Sequence, residues 1–290
     1  MTPTHPGALL RQKVNERRGL LVAGAANALS ARLIEQLGFE AVYLSGAGIT
    51  NTFYGIPDLG FITLQDLVQH TAATRDAVEL PIIVDADTGF GSALNVRHTV
   101  RALERAGANA IQLEDQVMPK KCGHFNGKAV VSMREAASKI KAAVDARHSE
   151  NFLVIARTDA RAIEGLDGAL ARGQAFIDAG ADITFIEAPE SIEEIRRIPG
   201  ALRVPQLVNV VIGGKTPTLS ATEFERMGFG LVLYANAALQ GAILGMTNAL
   251  TQLRDTGRLD EDSGLVSPFK VRQKLVQKDL FDELDTKYAV

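Results

Sequence analysis

The chain has no tryptophan, and aromatic residues make up only 6% of its 290 positions. That scarcity weighs against a stacking platform for single-stranded nucleic acid or glycans. Basic charge is not in excess either: 31 Lys and Arg stand against 34 Asp and Glu, for a formal charge of −3. No electrostatic footprint for nucleic acid follows from such a balance. No apolar run nears the ~20 residues needed to span a bilayer. The segment from Met1 to Gly7 is polar and contains proline, so no secretory leader is expected. A single cysteine rules out an intrachain disulfide framework and suits a reducing compartment. The expectation is a cytoplasmic protein with no nucleic-acid or membrane partner.

Apolar residues account for 46% of the chain, enough for a sizeable core. Eight short runs rich in Val, Ile, Leu or aromatics read as strands: Leu20 to Ala23, Ala41 to Leu44, Ile82 to Asp85, Ala110 to Glu114, Phe152 to Arg157, Ile183 to Glu187, Gln206 to Val210 and Leu231 to Tyr234. Their apolar character is nearly continuous, as in parallel strands covered on both faces. Helical patterns lie between them, several opened by Ser with an acid three residues on: Ser132 and Glu135, Ser191 and Glu194, Ser220 and Glu223. Gly38, Gly107, Gly180 and Gly228 each stand a few residues before a strand, where glycine closes a helix. Alternating strands and helices predict a parallel α/β architecture, and eight strands favour a (β/α)8 barrel over an open doubly wound sheet. The first βα loop lacks a G-x-G-x-x-G run, which weighs against a dinucleotide site. Residues 1–290 are expected to form one barrel domain, with residues 256–290 as a helical tail broken at Leu265 to Phe269.

Barrels of this kind carry their sites at the C-terminal strand ends. Those ends are polar in nearly every strand. The second runs into Ser45, Gly46 and Ala47; the third ends at Asp85 and Asp87, the fourth at Glu114. Arg157 ends the fifth, Glu187 the sixth, Asn209 the seventh and Asn236 the eighth. Asp85, Asp87 and Glu114 form an all-oxygen set that suits Mg2+ or Mn2+ rather than zinc. Taken singly, any of these acids could equally cap a helix or pair with Arg157. The glycine-containing turn after Ser45 can present backbone N–H groups to an anion. Arg157 can fork onto a substrate carboxylate or pair with Glu187. Cys122 follows Lys120 and Lys121 and precedes Gly123 and His124, cationic surroundings that favour thiolate character. The alternative is a buried cysteine acting as a small hydrophobe.

Six motifs together resemble the isocitrate lyase/phosphoenolpyruvate mutase superfamily over about Leu20 to Thr251. They are Tyr43-Leu44-Ser45-Gly46, Pro57-Asp58-Leu59-Gly60, Asp85 to Gly91, Leu113-Glu114-Asp115-Gln116, Lys121-Cys122-Gly123-His124 and Ala156-Arg157-Thr158-Asp159. The resemblance implies a barrel whose last helix is swapped between subunits of a homotetramer. It implies Mg2+ held by Asp85 and Asp87, with Asp58 and Glu114 acting mostly through water. Ser45, Gly46 and Ala47 would cradle a 2-oxo acid half. Cys122 would serve as acid–base thiol beside Gly123 and His124, with Tyr43 and Arg157 also in the catalytic set. Glu187 and Asn209 would bind or orient substrate. The Lys-Cys-Gly-His run is similar to the carbon–carbon lyases of the superfamily, the 2-methylisocitrate and 2,3-dimethylmalate types. Where methylisocitrate lyases carry an arginine after the eighth strand, this chain has Gln240. A neutral amide there favours a substrate with two carboxylates over one with three.

The activity implied is Mg2+-dependent cleavage of a branched 2-hydroxydicarboxylate, 2,3-dimethylmalate- or methylisocitrate-like, to pyruvate and a carboxylic acid. The alternatives are a phosphonomutase of the carboxyphosphonoenolpyruvate type, an oxaloacetate hydrolase, and a non-catalytic binding protein.

Overall fold

The structure is a computed structural model that describes residues 5–123, 125 and 127–289. Eight strands form a closed barrel in sequence order: β1 (Leu20–Ala25), β2 (Val42–Leu44), β3 (Ile82–Asp85), β4 (Ala110–Glu114), β5 (Leu153–Thr158), β6 (Ile183–Ile186), β7 (Gln206–Asn209) and β8 (Leu231–Tyr234). Every neighbouring pair is parallel, and β8 closes onto β1 with Leu20 opposite Leu231. The predicted barrel is therefore the observed one, with strand ends shifted by one or two residues.

The helices are α1 (Pro6–Asn15), α2 (Ala28–Gln36), α3 (Gly46–Ile49), α4 (Leu64–Ala77), α5 (Ala93–Arg105), α6 (Met133–Ala146), α7 (Arg161–Asp178), α8 (Ile192–Ala201), α9 (Ala221–Arg226), α10 (Ala237–Thr256), α11 (Phe269–Leu275) and α12 (Lys278–Tyr288). All three predicted serine caps accept a hydrogen bond from the acid's backbone N–H. Only Ser220 and Glu223 complete the reciprocal box. Glu194 instead accepts from the Glu190 N–H and from Arg161. Gly38, Gly107, Gly180 and Gly228 all have φ between 84° and 101°, the left-handed closure expected of them.

Period-two alternation sorts the strand side chains into an inner and an outer core. Val22, Tyr43, Ile83, Leu153, Ile155, Ile183, Phe185, Leu207, Leu231 and Leu233 fill the barrel. Their neighbours face outward: Val42, Val84, Ile111 and Val154 lie under α2, α4, α5 and α6, while Ile186, Val208 and Val232 meet Ile195, Ile198, Phe224 and Phe229. Both faces are dry, which is why the strands read as continuous apolar runs.

Helix α1, which carries no strong pattern in the sequence, plugs the floor of the barrel. Leu10 and Val14 are buried against the same inner cluster as Leu231 and Ile183, residues at strand beginnings. The helical stretch expected after the break at Leu265 to Phe269 is divided in two. Gln277, with φ of 57°, separates α11 from α12. Neither of these two helices buries a residue, and α10 buries only Ala249.

A candidate active site at the barrel mouth

The same alternation that packs the core delivers polar groups to one rim. The inward face of β3 runs from Ile83 to Asp85, that of β5 from Ile155 to Arg157, that of β6 from Phe185 to Glu187, and that of β7 from Leu207 to Asn209. Asp85, Arg157, Phe185, Glu187 and Asn209 line a small cavity of about 40 Å³ with Tyr43, Ser45, Ala47, Asp58, Asn236 and the loop residues Lys120 to Gly123. A wider surface groove between α5 and α6 holds no comparable convergence. Its Glu104 is occupied in accepting from the backbone N–H groups of His148 and Ser149.

Lys120 organises one side of the cavity. Its ammonium lies 2.7 Å from Asp58 Oδ1 and 2.7 Å from Asp87 Oδ1, with only 4% of the side chain exposed. Asp85 sits beside them. It accepts from the Gly46 N–H at 3.3 Å, the Gln112 amide at 3.4 Å and the Asp87 N–H at 3.4 Å. Burial pushes the Asp87 carboxyl up to about 7; Lys120 opposes that rise, and the charges of Asp85 and Asp58 add to it. Burial likewise raises Glu114, against the pull of Arg157. Burial works against the Lys120 ammonium, but the carboxylates of Asp87, Glu114, Asp85 and Asp58 outweigh it and hold the amine charged. Burial, helped by the negative charge of Asp85, keeps Tyr43 a neutral phenol.

Arg157 organises the other side. Its Nε and Nη2 fork onto Asp159 at 3.0 and 3.1 Å. Glu114 Oε2 lies 3.2 Å from Nη1, Glu187 Oε2 lies 3.4 Å from Nε, and the Phe185 ring underlies the guanidinium at 5.5 Å. The fork therefore goes to Asp159 here, and Glu187 is a further partner. Asp115 braces the region from behind, accepting from the Thr158 hydroxyl at 2.7 Å, the Asp159 N–H at 2.9 Å and Arg172 at 3.2 Å.

The loop from β4 to α6 brings Cys122 to the cavity wall and seats Gly123 against Arg157. The Gln116 side-chain amide clasps Lys121, accepting from its N–H at 2.9 Å and donating to its carbonyl at 2.8 Å. Gly123 approaches so closely that an added Cβ would lie 2.5 Å from Arg157 Nη2 and 2.5 Å from Glu187 Cγ. Cys122 is half-buried rather than sealed in the core. His124 lies outside the described residues. Gln240 is exposed and outside the cavity lining, its amide 3.5 Å from the Ile212 carbonyl.

Some lining residues escape sequence reasoning. The direction in which Lys120 points, into the acids rather than toward the thiol, has no local signal. Phe185 does have one, since alternation from Ile183 to Glu187 places it on the inward face. Asn236, read from the sequence at the end of the eighth strand, stands two residues beyond β8 and accepts from the Ser45 hydroxyl at 3.3 Å.

Among the described residues no three of His, Cys, Asp and Glu converge as a metal-holding group. The donor chemistry nevertheless fits a hard divalent cation. Six carboxylates (Asp58, Asp85, Asp87, Glu114, Asp159 and Glu187) face three cationic side chains (Lys120, Lys128 and Arg157). Glu114 Oε1 is buried with no hydrogen-bond partner. An excess of buried carboxylate is relieved by proton uptake or by a cation.

Comparison with known proteins agrees with this geometry. Residues 10–254 match the family model described as phosphoenolpyruvate phosphomutase. The chain is 45% identical to a 2,3-dimethylmalate lyase of Eubacterium barkeri over 248 residues, 86% of each chain. It is 43% identical to a 2-methylisocitrate lyase of Aeropyrum pernix over 282 residues, 97% of this chain and 85% of the other. The crystal structure of a 2,3-dimethylmalate lyase superposes with a TM-score of 0.91 at 34% identity, covering 99% of this chain and 97% of that one. Barrel, polar rim and sequence thus place the chain in the isocitrate lyase/phosphoenolpyruvate mutase superfamily, a superfamily of lyases and mutases.

Proposed function

We propose that the protein is a Mg2+-dependent carbon–carbon lyase acting on a branched 2-hydroxydicarboxylate, 2,3-dimethylmalate- or methylisocitrate-like, and releasing pyruvate and a carboxylic acid. The observation that carries this reading is the placement of an acid-rich rim and the lone thiol on one cavity. Asp58, Asp85, Asp87 and Glu114 would hold Mg2+ (or Mn2+). Bound there, the cation would lower the pKa of a chelated 2-hydroxyl and stabilise negative charge on the oxo-acid product.

The remaining steps fall to the chain's own groups. Ser45, Gly46 and Ala47 border the oxo-acid end. Arg157 and Asn209 orient carboxylates, with Glu187 fixing the guanidinium. Tyr43 stays a neutral phenol, a donor for substrate rather than a base. Once the 2-hydroxyl loses its proton, the C2–C3 bond breaks and its electron pair stays on C3, beside a carboxylate. The Cys122 thiol gives its proton to that carbon; the hydroxyl proton, taken up by a carboxylate of the rim, then restores the thiol, so the enzyme ends the turnover in the state it began. Gly123 and His124 flank the thiol in sequence. Gln240 lies outside the cavity lining, so the preference for a two-carboxylate substrate rests on the resemblance alone, methylisocitrate lyases having an arginine at that place.

A homotetramer with exchanged C-terminal helices accompanies this reading. Ile243, Leu244, Met246 and Leu250 of α10 are 51 to 63% exposed, an apolar stripe that suits cover by a second copy. A cytoplasmic location also belongs to the proposal.

The test is a pyruvate-coupled assay of folded protein with Mg2+ and a panel of branched 2-hydroxydicarboxylates. Steady pyruvate release from at least one acid is expected. Folded protein that releases none from any of them overturns the lyase.

A further inference from the structure

Lys128 has no part in the chemistry above, yet only 2% of its side chain is exposed. Its ammonium donates to Asp159 Oδ1 at 2.9 Å and to the backbone carbonyl of Gly123. Asp159 is wholly buried and is the same carboxylate onto which Arg157 forks. The Gly123 carbonyl lies one peptide beyond Cys122. A single ammonium therefore ties the thiol-bearing turn to the end of β5. Burying a lysine is expensive unless its donors are used, so two acceptors at this depth mark a built contact. The close seating of Gly123 on Arg157 and Glu187 shows what that contact holds in place.

We propose that Lys128 is a positioning residue: by clamping the Gly123 carbonyl against Asp159, it sets the Cys122 thiol at one fixed placement on the cavity wall. The inference rests on Cys122 being the reacting thiol. It concerns where the sulfur is held and leaves the choice of substrate aside.

The chain has one cysteine, so alkylation of the intact protein by iodoacetamide reads this sulfur alone. Rates are followed from about pH 6 to about pH 10, without substrate, until the thiolate is complete and the rate reaches a plateau. Lys128→Met is expected to raise the plateau rate about tenfold, the worth of a lost charge-assisted hydrogen bond. Lys128→Arg keeps a charge and a donor and is expected to return it to within about threefold of the wild type. A wild-type plateau in folded Lys128→Met overturns the proposal. So does slower alkylation near neutral pH with an unchanged plateau, because that pattern belongs to a lysine acting only through its charge. Should Lys128→Met not fold, Lys128→Gln retains one N–H donor for the carbonyl. An intermediate plateau then supports the clamp, and a wild-type plateau overturns it. Because no turnover is measured, a negative result here strikes Lys128 alone, whereas missing pyruvate strikes the lyase.

Discussion

Burial and charge act together on Asp87. Its carboxyl is pushed up to about 7, above the ordinary aspartate value, so the folded protein binds a proton there more tightly than the unfolded chain does. The stability tied to that proton is complete below the unfolded pKa near 4 and is lost as pH rises toward about 7. Without divalent cations, melting temperature is expected to fall across that window, and Asp87→Asn to flatten the fall. A wild-type slope in the variant assigns the effect elsewhere. Cys122→Ser is expected to lower turnover by about 10² to 10⁴-fold while calorimetry still detects Mg2+ binding. Behind the site, Arg172 donates to Asp115, Glu164 and the Val131 carbonyl. Arg172→Met strands the buried Asp115, and urea titration is expected to show a loss of about 3 kcal/mol.

At the scale of elements, the strands were the most legible part of the sequence and the β4–α6 loop the least. Strands buried on both faces leave unbroken apolar runs, so Ile82–Asp85 and Leu231–Tyr234 begin and end where those runs do. Helix entrances were legible where a hydroxyl sits three residues before an acid. They were missed where the box used other residues, as in Asn27 with Ser30 or Ser92 with Asn95. The acids at the strand ends could be located, because position on a strand fixes direction. Lys120 and Lys128 could not, because a loop has no period and a long side chain goes where unpaired carboxylates are. Gly123 gives a loop-scale test. A Cβ there would meet Arg157 and Glu187, so Gly123→Ala is expected to cut turnover while leaving the melting temperature of the barrel nearly unchanged.

For the whole molecule, the two ends of the chain behave oppositely. The N-terminal helix is drawn into the barrel, whereas α10 to α12 expose nearly all of their apolar side chains, including Phe269, Phe281 and Tyr288. Sedimentation velocity is expected to find a tetramer, and removal of residues 257–290 to yield smaller species. A full-length monomer at micromolar concentration would leave the α10 stripe without its proposed cover. The helical character of this tail was legible, but how little of it is buried was not: α10 touches β1 and α11 touches α2, yet only Ala249 is sealed from solvent, and spacing along a helix does not say which surface it serves.

Leu10 and Val14 cap the floor of a barrel whose interior is already filled by side chains, so the cavity at the mouth opens on one side only. Traffic must then run both ways through the same doorway. Whatever fragment is released last bars the next molecule from entering, so it should behave as a competitive inhibitor, and the fragment nearer the rim should depart first.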